Sequence, residues 1–273
     1  MPILTPTFTA LLREAQFTKE MLGNGATQIR EANYASKGVY FQAFTSLSTG
    51  LERIGKLCLM LDHFIETRGT FPTLREMKRQ IGHKLELLYT RSEEVRRRRS
   101  INLRFTKDLS APVHQAIMRV LHDFAEGDRY SNIDILVGGN SSADPVARWY
   151  REVDMPLYEA RVSQRKKDEI AQNARMADAI MGAFSSVLHT SETGDEITDF
   201  EDGSRRTGVW KAVAPHRQLA VLQVIRYWTE LIGQLEHAAH GIPGEHIPYF
   251  GEVFALFYND DSYLKTRKTW EKV

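Results

Sequence analysis

The chain has 273 residues, 42% hydrophobic and 26% charged, with a formal net charge of +1. That composition suits a globular protein large enough to bury a substantial core. It excludes a uniformly basic surface for nucleic acid and leaves only local basic patches. The single cysteine, Cys58, excludes an internal disulfide and reads as a buried core thiol.

No stretch approaches the roughly 18 apolar residues of a membrane span. The opening MPILTPTFTALLREAQF lacks a basic start followed by a long apolar run. A cytoplasmic protein that does not enter a membrane is expected.

Residues 6–23 read as a first amphipathic helix stopping near Gly23 or Gly25. The next segment carries the clearest pattern. Tyr40, Phe44, Leu47, Leu51, Ile54, Cys58, Leu61 and Ile65 alternate at four- and three-residue spacing, one apolar stripe on a helix of about seven turns. Gly50 and Gly55 within it cost helix propensity and mark places where another helix can approach, and Gly69 is the expected stop. Thr73 and Glu76 have capping-box spacing, so a helix restarts there. Residues 73–99 form one bent helix or two, with Gly82 as the weak point. Ser110 and Pro112 open another, carrying Val113, Ile117, Val120, Leu121 and Phe124.

A polar break spans 127–145. Asp144 and Pro145 then look like an N-cap and first-turn proline, opening helical sequence to about His189. Residues 190–208 are acidic and aperiodic, and predict an exposed loop. Pro215 is the expected start of a strong helix, with Leu222, Ile225, Trp228, Ile232 and Leu235 on one face and Gly241 at its end. Residues 247–258 predict a short aromatic helix. Almost nothing alternates with period two, so the fold expected is all-α, an antiparallel helical bundle.

Three ordered segments carry a resemblance. They are SLSTGLERIGKLCLML (46–61), IGHKLELLY (81–89), and Arg129-Tyr130 in GDRYSN. In this order they resemble the HEPN (higher eukaryotes and prokaryotes nucleotide-binding) domain over about residues 30–150. The resemblance implies a four- or five-helix up-and-down bundle that often dimerises, in toxin, abortive-infection or antiviral systems. It implies a HEPN-like bundle over 1–145 and a C-terminal helical extension over 146–273, packed as one composite domain. RNase members carry Arg, four to six residues, then His. None of the nine histidines here has an Arg at that distance; Arg79 and His83 come nearest, with three residues between them.

Arg79 and His83 would lie one turn apart on a continuous helix. There His83 could act as acid or base on an RNA 2′-hydroxyl and Arg79 could stabilise phosphorane charge. The plainer reading is a capping or surface pair. Glu52, Arg53 and Lys56 are either a surface ion-pair set or the wall of a groove shared with His83. Arg129 with Tyr130 could hold a phosphate while the ring stacks on a base, with Asn132 nearby; otherwise these residues pair and cap locally.

Four consecutive arginines, Arg96, Arg97, Arg98 and Arg99, suit either RNA phosphates or the C-terminal dipole of a helix. Arg161, Arg165, Lys166 and Lys167 form a weaker basic stretch. The acids between Glu192 and Asp202 lack calcium-loop spacing, and His237, His240, Glu245 and His246 lack the His-Glu-x-x-His order. No metal and no cofactor are expected, and phosphate-loop, dinucleotide and nucleophile-elbow signatures are absent.

The expected function is therefore that of a bacterial defence or toxin-type protein binding nucleotide, RNA or a partner protein. It would work as a homodimer or as a subunit of a complex. The alternatives are an RNase with a displaced Arg/His centre and a structural subunit held by the aromatic C-terminal helix.

Overall fold

The apolar stripe of the second helix organises the molecule. In the computed structural model, which describes residues 5–130, 133, 136–138 and 144–270, helix α2 spans Gly38–Glu66. Tyr40, Phe44, Leu47, Leu51, Ile54, Cys58 and Leu61 on its stripe are fully buried. Its end is set by a residue the sequence did not single out. Arg68 takes the left-handed conformation (φ 55°), with N–H bonds from Arg68 to Ile65 O and from Gly69 to Phe64 O, a Schellman motif with arginine in the place usually held by glycine.

Helix α1 spans Pro6–Glu31, capped by the Thr5 side chain, and passes straight through Gly23 and Gly25. The expected stop there is corrected: Gly25 is a crossing point. A Cβ on Gly25 would meet Leu47 of α2 at 2.6 Å, and one on Gly50 of α2 would meet Leu22 of α1 at 2.7 Å. The two helices run antiparallel with each leucine seated on the other's glycine. Gly55 similarly admits Leu88, at 3.3 Å from a built Cβ.

Residues 73–99 are two helices. The Thr73–Glu76 capping box forms as expected and starts α3 (Leu74–Glu76), which widens into a π-turn over Met77–Ile81. Gly82 (φ 72°) breaks the chain, and α4 runs Leu85–Arg98. Helix α5 spans Pro112–Glu126 and is followed by a 3-10 turn at Asp128–Tyr130. The Asp144 side chain accepts from the N–H of Val146 and Ala147, capping α6 (Pro145–Trp149). A π-turn (Tyr150–Asp154) leads into α7 (Met155–Arg161), and a break at Val162 lets Ser163 cap α8 (Gln164–Met181). The expected single run to His189 is thus divided where Ser163 competes for the backbone.

Residues 190–208 do not form an exposed loop. Strands β1 (His189–Thr190) and β2 (Glu196–Ile197) pair antiparallel, and Ser191, Glu192 and Ile197 are buried. Asp199 caps α9, which spans Phe200–His240 with Pro215 inside it. The helix begins well before Pro215 because the cap and the buried Val209 and Val213 precede the proline. At 41 residues it is about 60 Å long, and it packs on α1, α2 and α8. The expected aromatic helix shortens to α10 (Phe250–Val253) and a 3-10 turn (Ala255–Phe257), followed by α11 (Asp261–Thr266).

The described residues are thus mostly helical, and none of their helices is long and apolar enough to cross a membrane. One core runs through both halves of the chain. Phe44 meets Phe124 at 5.4 Å and Trp149 at 5.1 Å between ring centres. Near the C-terminus the Trp270 N–H donates to Thr27 of α1 at 2.8 Å.

Candidate nucleic-acid interface

The turn between α3 and α4 is held from two sides. Thr73 and Glu76 satisfy each other's backbone N–H groups at its start, and Ile81 and Leu85 anchor its end in the core. Gly82, at a φ that L side chains avoid, reverses the chain between them. This geometry turns the polar residues outward. Arg75, Lys78, Arg79, His83 and Lys84 are exposed. Among the described residues, none of Arg75, Lys78, Arg79 and Lys84 has an acid within ion-pairing distance. The only acid within 75–84 is Glu76, and the Thr73 backbone N–H and hydroxyl hold its carboxyl below the usual carboxylate range.

His83 reaches the neighbouring helix, with Nε2 3.6 Å from Glu126 Oε1 at the end of α5. The 3-10 turn after α5 buries Asp128 and presents Arg129 and Tyr130, whose guanidinium carbon lies 5.1 Å from the ring centre. Tyr130 is 51% exposed. One end of the bundle therefore carries the basic turn, and His83 bridges it to the helix from which the Arg129–Tyr130 turn leaves. Asn132 lies outside the described residues.

The other expected site residues are placed differently. Arg79 belongs to a π-turn and Gly82 interrupts the chain before His83, so the two are not one turn apart on a continuous helix. Glu52 and Lys56 pair with each other at 2.5 Å. Arg53 pairs with Glu14 of α1 at 2.6 Å and lies 4.6 Å from the Phe17 ring centre. Arg53 and Lys56 line a pocket of about 310 Å³ with Leu57, Met60 and Met77; His83 is not part of it.

The four arginines are largely committed to acids. Arg96 grips Glu93 through two bonds of 2.8 and 2.9 Å. Arg98 and Arg99 both reach Asp62 of α2 at 2.6 Å, and Arg99 adds Glu66 at 2.7 Å. Burial would raise the Glu93 carboxyl, but bonds from Arg96 and Tyr227 outweigh it and hold the group below its usual range. Arg97 is the most exposed of the four, at 75%, and pairs only loosely with Glu93 at 3.8 Å. The run closes α4 onto the end of α2, and Ser100 in the left-handed conformation (φ 54°) completes the helix terminus.

A polar cleft of about 300 Å³ lies between these two helices, lined by Asp62, His63, Glu66, Arg91, Glu94 and Arg98, with Ile81 as one wall. Arg91 Nη1 is buried there with no hydrogen-bond partner among the described residues. In the second basic stretch Lys166 pairs with Glu169 at 2.7 Å and Lys167 pairs with Glu159. That stretch lies on α7 and α8, which pack on α9, whereas α4 packs on α2 and α5.

Comparison with protein-family models, with curated proteins and with solved structures finds no match for this chain. Its chemistry is read from its own residues.

Sequence reasoning missed Arg75, Lys78 and Lys84. The signal was present. Within 75–84 four cations stand against a single acid, and the capping-box spacing already assigns that acid to Thr73. The run of four arginines drew attention by its density, while two of its compensating acids, Asp62 and Glu66, lie far away in sequence.

Proposed function

We propose that the protein is a HEPN-like helical bundle that binds RNA or a nucleotide through the basic turn 75–84 and the adjoining Arg129–Tyr130 turn. Its role would lie in a bacterial defence or toxin-type system. The three segments behind the family resemblance support this reading, because they fall on α2, on α4 and its approach, and on the turn after α5, three helices packed on one another. The observation that carries the binding role is the set of four cations, Arg75, Lys78, Arg79 and Lys84, without acidic partners on one projecting turn. A phosphate approaching such a turn displaces counterions and no internal ion pair, so the gain is entropic and salt-dependent. Tyr130 offers an exposed ring for base stacking beside a guanidinium.

Fluorescence anisotropy with a labelled single-stranded RNA tests the proposal. The variant R75S/K78S/R79S/K84S is expected to lose at least tenfold in affinity. Its log K against log[salt] slope should flatten by about 0.7 for each RNA phosphate that the variant no longer neutralises. Arg97→Ser, which removes the most exposed arginine of the run, is expected to change little. Equal binding by wild type and the quadruple variant, or no binding by either, refutes the assignment. Incubation with total RNA reports on the RNase alternative: cleavage would have to disappear in His83→Ala.

A second reading, a subunit docked on a partner protein, is favoured by an apolar stripe along α8 and its exit. Met176, Ile180 and Phe184 follow at four-residue intervals, and Leu188 beyond them is also exposed. An apolar patch on the order of several hundred Å² is at the upper end for a monomer and commonly functional. Sedimentation velocity on wild type and on I180S/F184S separates this reading, since a partner or second copy held there should be released by the double variant.

A further inference from the structure

Beneath the β1–β2 hairpin, three buried polar atoms have no hydrogen-bond partner among the described residues. They are Glu192 Oε2, Trp210 Nε1 and Arg217 Nε. All three residues line the same small cavity, together with Tyr150, Asp154 and Arg206. The rest of the local network is complete. Arg217, with no exposed surface, donates through Nη1 to Asp154 at 2.8 Å and to the Tyr40 hydroxyl at 3.0 Å. Its Nη2 donates to the carbonyls of Ala32 and Arg30. The other Asp154 oxygen accepts from Trp149 Nε1 at 3.0 Å. Arg206 is held by Asp202 at 2.8 Å, which leaves its Nη1 at 3.9 Å from Glu192, too long for a hydrogen bond.

Two donors and one acceptor thus face one space. A cation there would meet the Trp210 N–H and the Arg217 guanidinium. An anion would meet the Glu192 and Asp154 carboxyls. A water molecule accepts two hydrogen bonds and donates two, which matches all three groups and leaves one hydrogen for a further oxygen on the wall. The cavity offers about 10 Å³ to a water-sized sphere, room for a single water and too little for an organic ligand. Two to four polar partners are what a buried water normally has.

We infer that this cavity is a binding site for one ordered water, which accepts from Trp210 Nε1 and Arg217 Nε and donates to Glu192 Oε2. The water adds an interior polar tie to the hairpin, whose Ile197 is buried and whose Glu192 lies 3.9 Å from Arg206 Nη1. Two further ties are peripheral: an exposed bond from Lys37 Nζ to Thr190 Oγ1 at 2.9 Å, and an edge contact between Tyr34 and His189 with ring centres 5.8 Å apart. Through the water, a side chain from the hairpin is coupled to α9 and to the π-turn that carries Asp154. This site is separate from the basic turn and does not depend on the RNA-binding assignment.

The test is water–protein NMR on [15N]tryptophan-labelled protein. The Trp210 indole signal is identified by its loss in Trp210→Phe. It is expected to show NOE and ROE cross-peaks of opposite sign to the water resonance, the signature of a bound water and not of proton exchange. Tyr150→Phe, which removes the hydroxyl on the cavity wall that could relay such a signal, should leave the cross-peak in place. Glu192→Gln should keep it, and Glu192→Leu, which removes the acceptor and fills the space, should abolish it. Absence of the cross-peak in wild type, its loss in Tyr150→Phe or its survival in Glu192→Leu each overturns the inference.

Discussion

Replacing Gly50 by alanine tests the packing of α1 on α2 with a sign that helix propensity alone predicts wrongly. Mid-helix Gly→Ala normally stabilises by about 0.8–1.0 kcal/mol. At Gly50 the new methyl would sit 2.7 Å from Leu22 Cδ2, 2.8 Å from its Cγ and 3.2 Å from its backbone N. Leu22 is fully buried, so its side chain has no free space to enter, and the backbone contact can be relieved only by separating the helices. Overpacking of this kind costs about 1–3 kcal/mol. Over most of that range it exceeds the propensity gain and leaves a net loss of up to about 2 kcal/mol. Gly25→Ala meets Leu47 in the mirror arrangement, at 2.6 and 2.8 Å with the backbone N at 3.1 Å, and should lose a similar amount. The double variant should lose less than the sum, since one separation of the helices relieves both contacts. Gly233→Ala is the internal control. It lies inside α9 with nothing within 4 Å of a built Cβ, so it should gain the propensity term. Urea unfolding followed by circular dichroism measures all four. If Gly50→Ala is as stable as wild type, or if Gly50 and Gly233 respond with the same sign, the close crossing is not what keeps the glycine there.

Three further outcomes follow from buried groups. Glu230 is 5% exposed and accepts the backbone N–H groups of Arg104, Phe105 and Thr106 at 2.5–3.2 Å. Glu230→Ala should therefore cost about 3 kcal/mol or more in urea unfolding; a loss below about 1 kcal/mol would show that water serves those amides equally well. Burial, with Asp154 adding to it, raises the Glu192 carboxyl above its usual value, against the pull of Arg206 and Arg217. An acid raised in the folded state binds more protons there than in the unfolded chain, so its contribution falls as pH rises through the folded value. Glu192→Gln should therefore gain on wild type as pH rises above the usual carboxylate range, and a difference that stays constant with pH would contradict the burial. Burial likewise raises the Cys58 thiol well above its normal range, so it should resist Ellman's reagent until the protein is unfolded in urea. Rapid labelling of the native protein would contradict its position against Trp228.

Local signals in the sequence located the elements whose causes are local. The stripe from Tyr40 to Leu61, the Thr73–Glu76 box and the Asp144–Pro145 start each depend on residues within a few positions, and each forms. The misread boundaries have distant causes. Gly25 looks like a stop until Leu47 is known to rest on it. Pro215 looks like a beginning until the Asp199 cap and the buried Val209 and Val213 extend the helix ahead of it. Glu192 looks like part of a solvated acidic loop because Arg206 and Arg217, beside which it is buried, follow only on α9.

The candidate site follows the same division. Density of like charge made Arg96–Arg99 the most visible basic feature, yet Asp62 and Glu66, 33 to 37 positions away, pair with Arg98 and Arg99, and Glu93 pairs with Arg96. The cations of 75–84 are sparser, but among the described residues the fold brings only Glu126 to them, and it meets His83. In a chain with net charge +1, a basic surface arises where the fold leaves cations without acids, and density of arginine is a poor guide to that. Ion pairs on α2 and α4 draw the Arg run into the scaffold. The turn itself is fixed elsewhere, by the Thr73–Glu76 capping box and by Ile81 and Leu85 buried in the core, and Gly82 turns its cations outward.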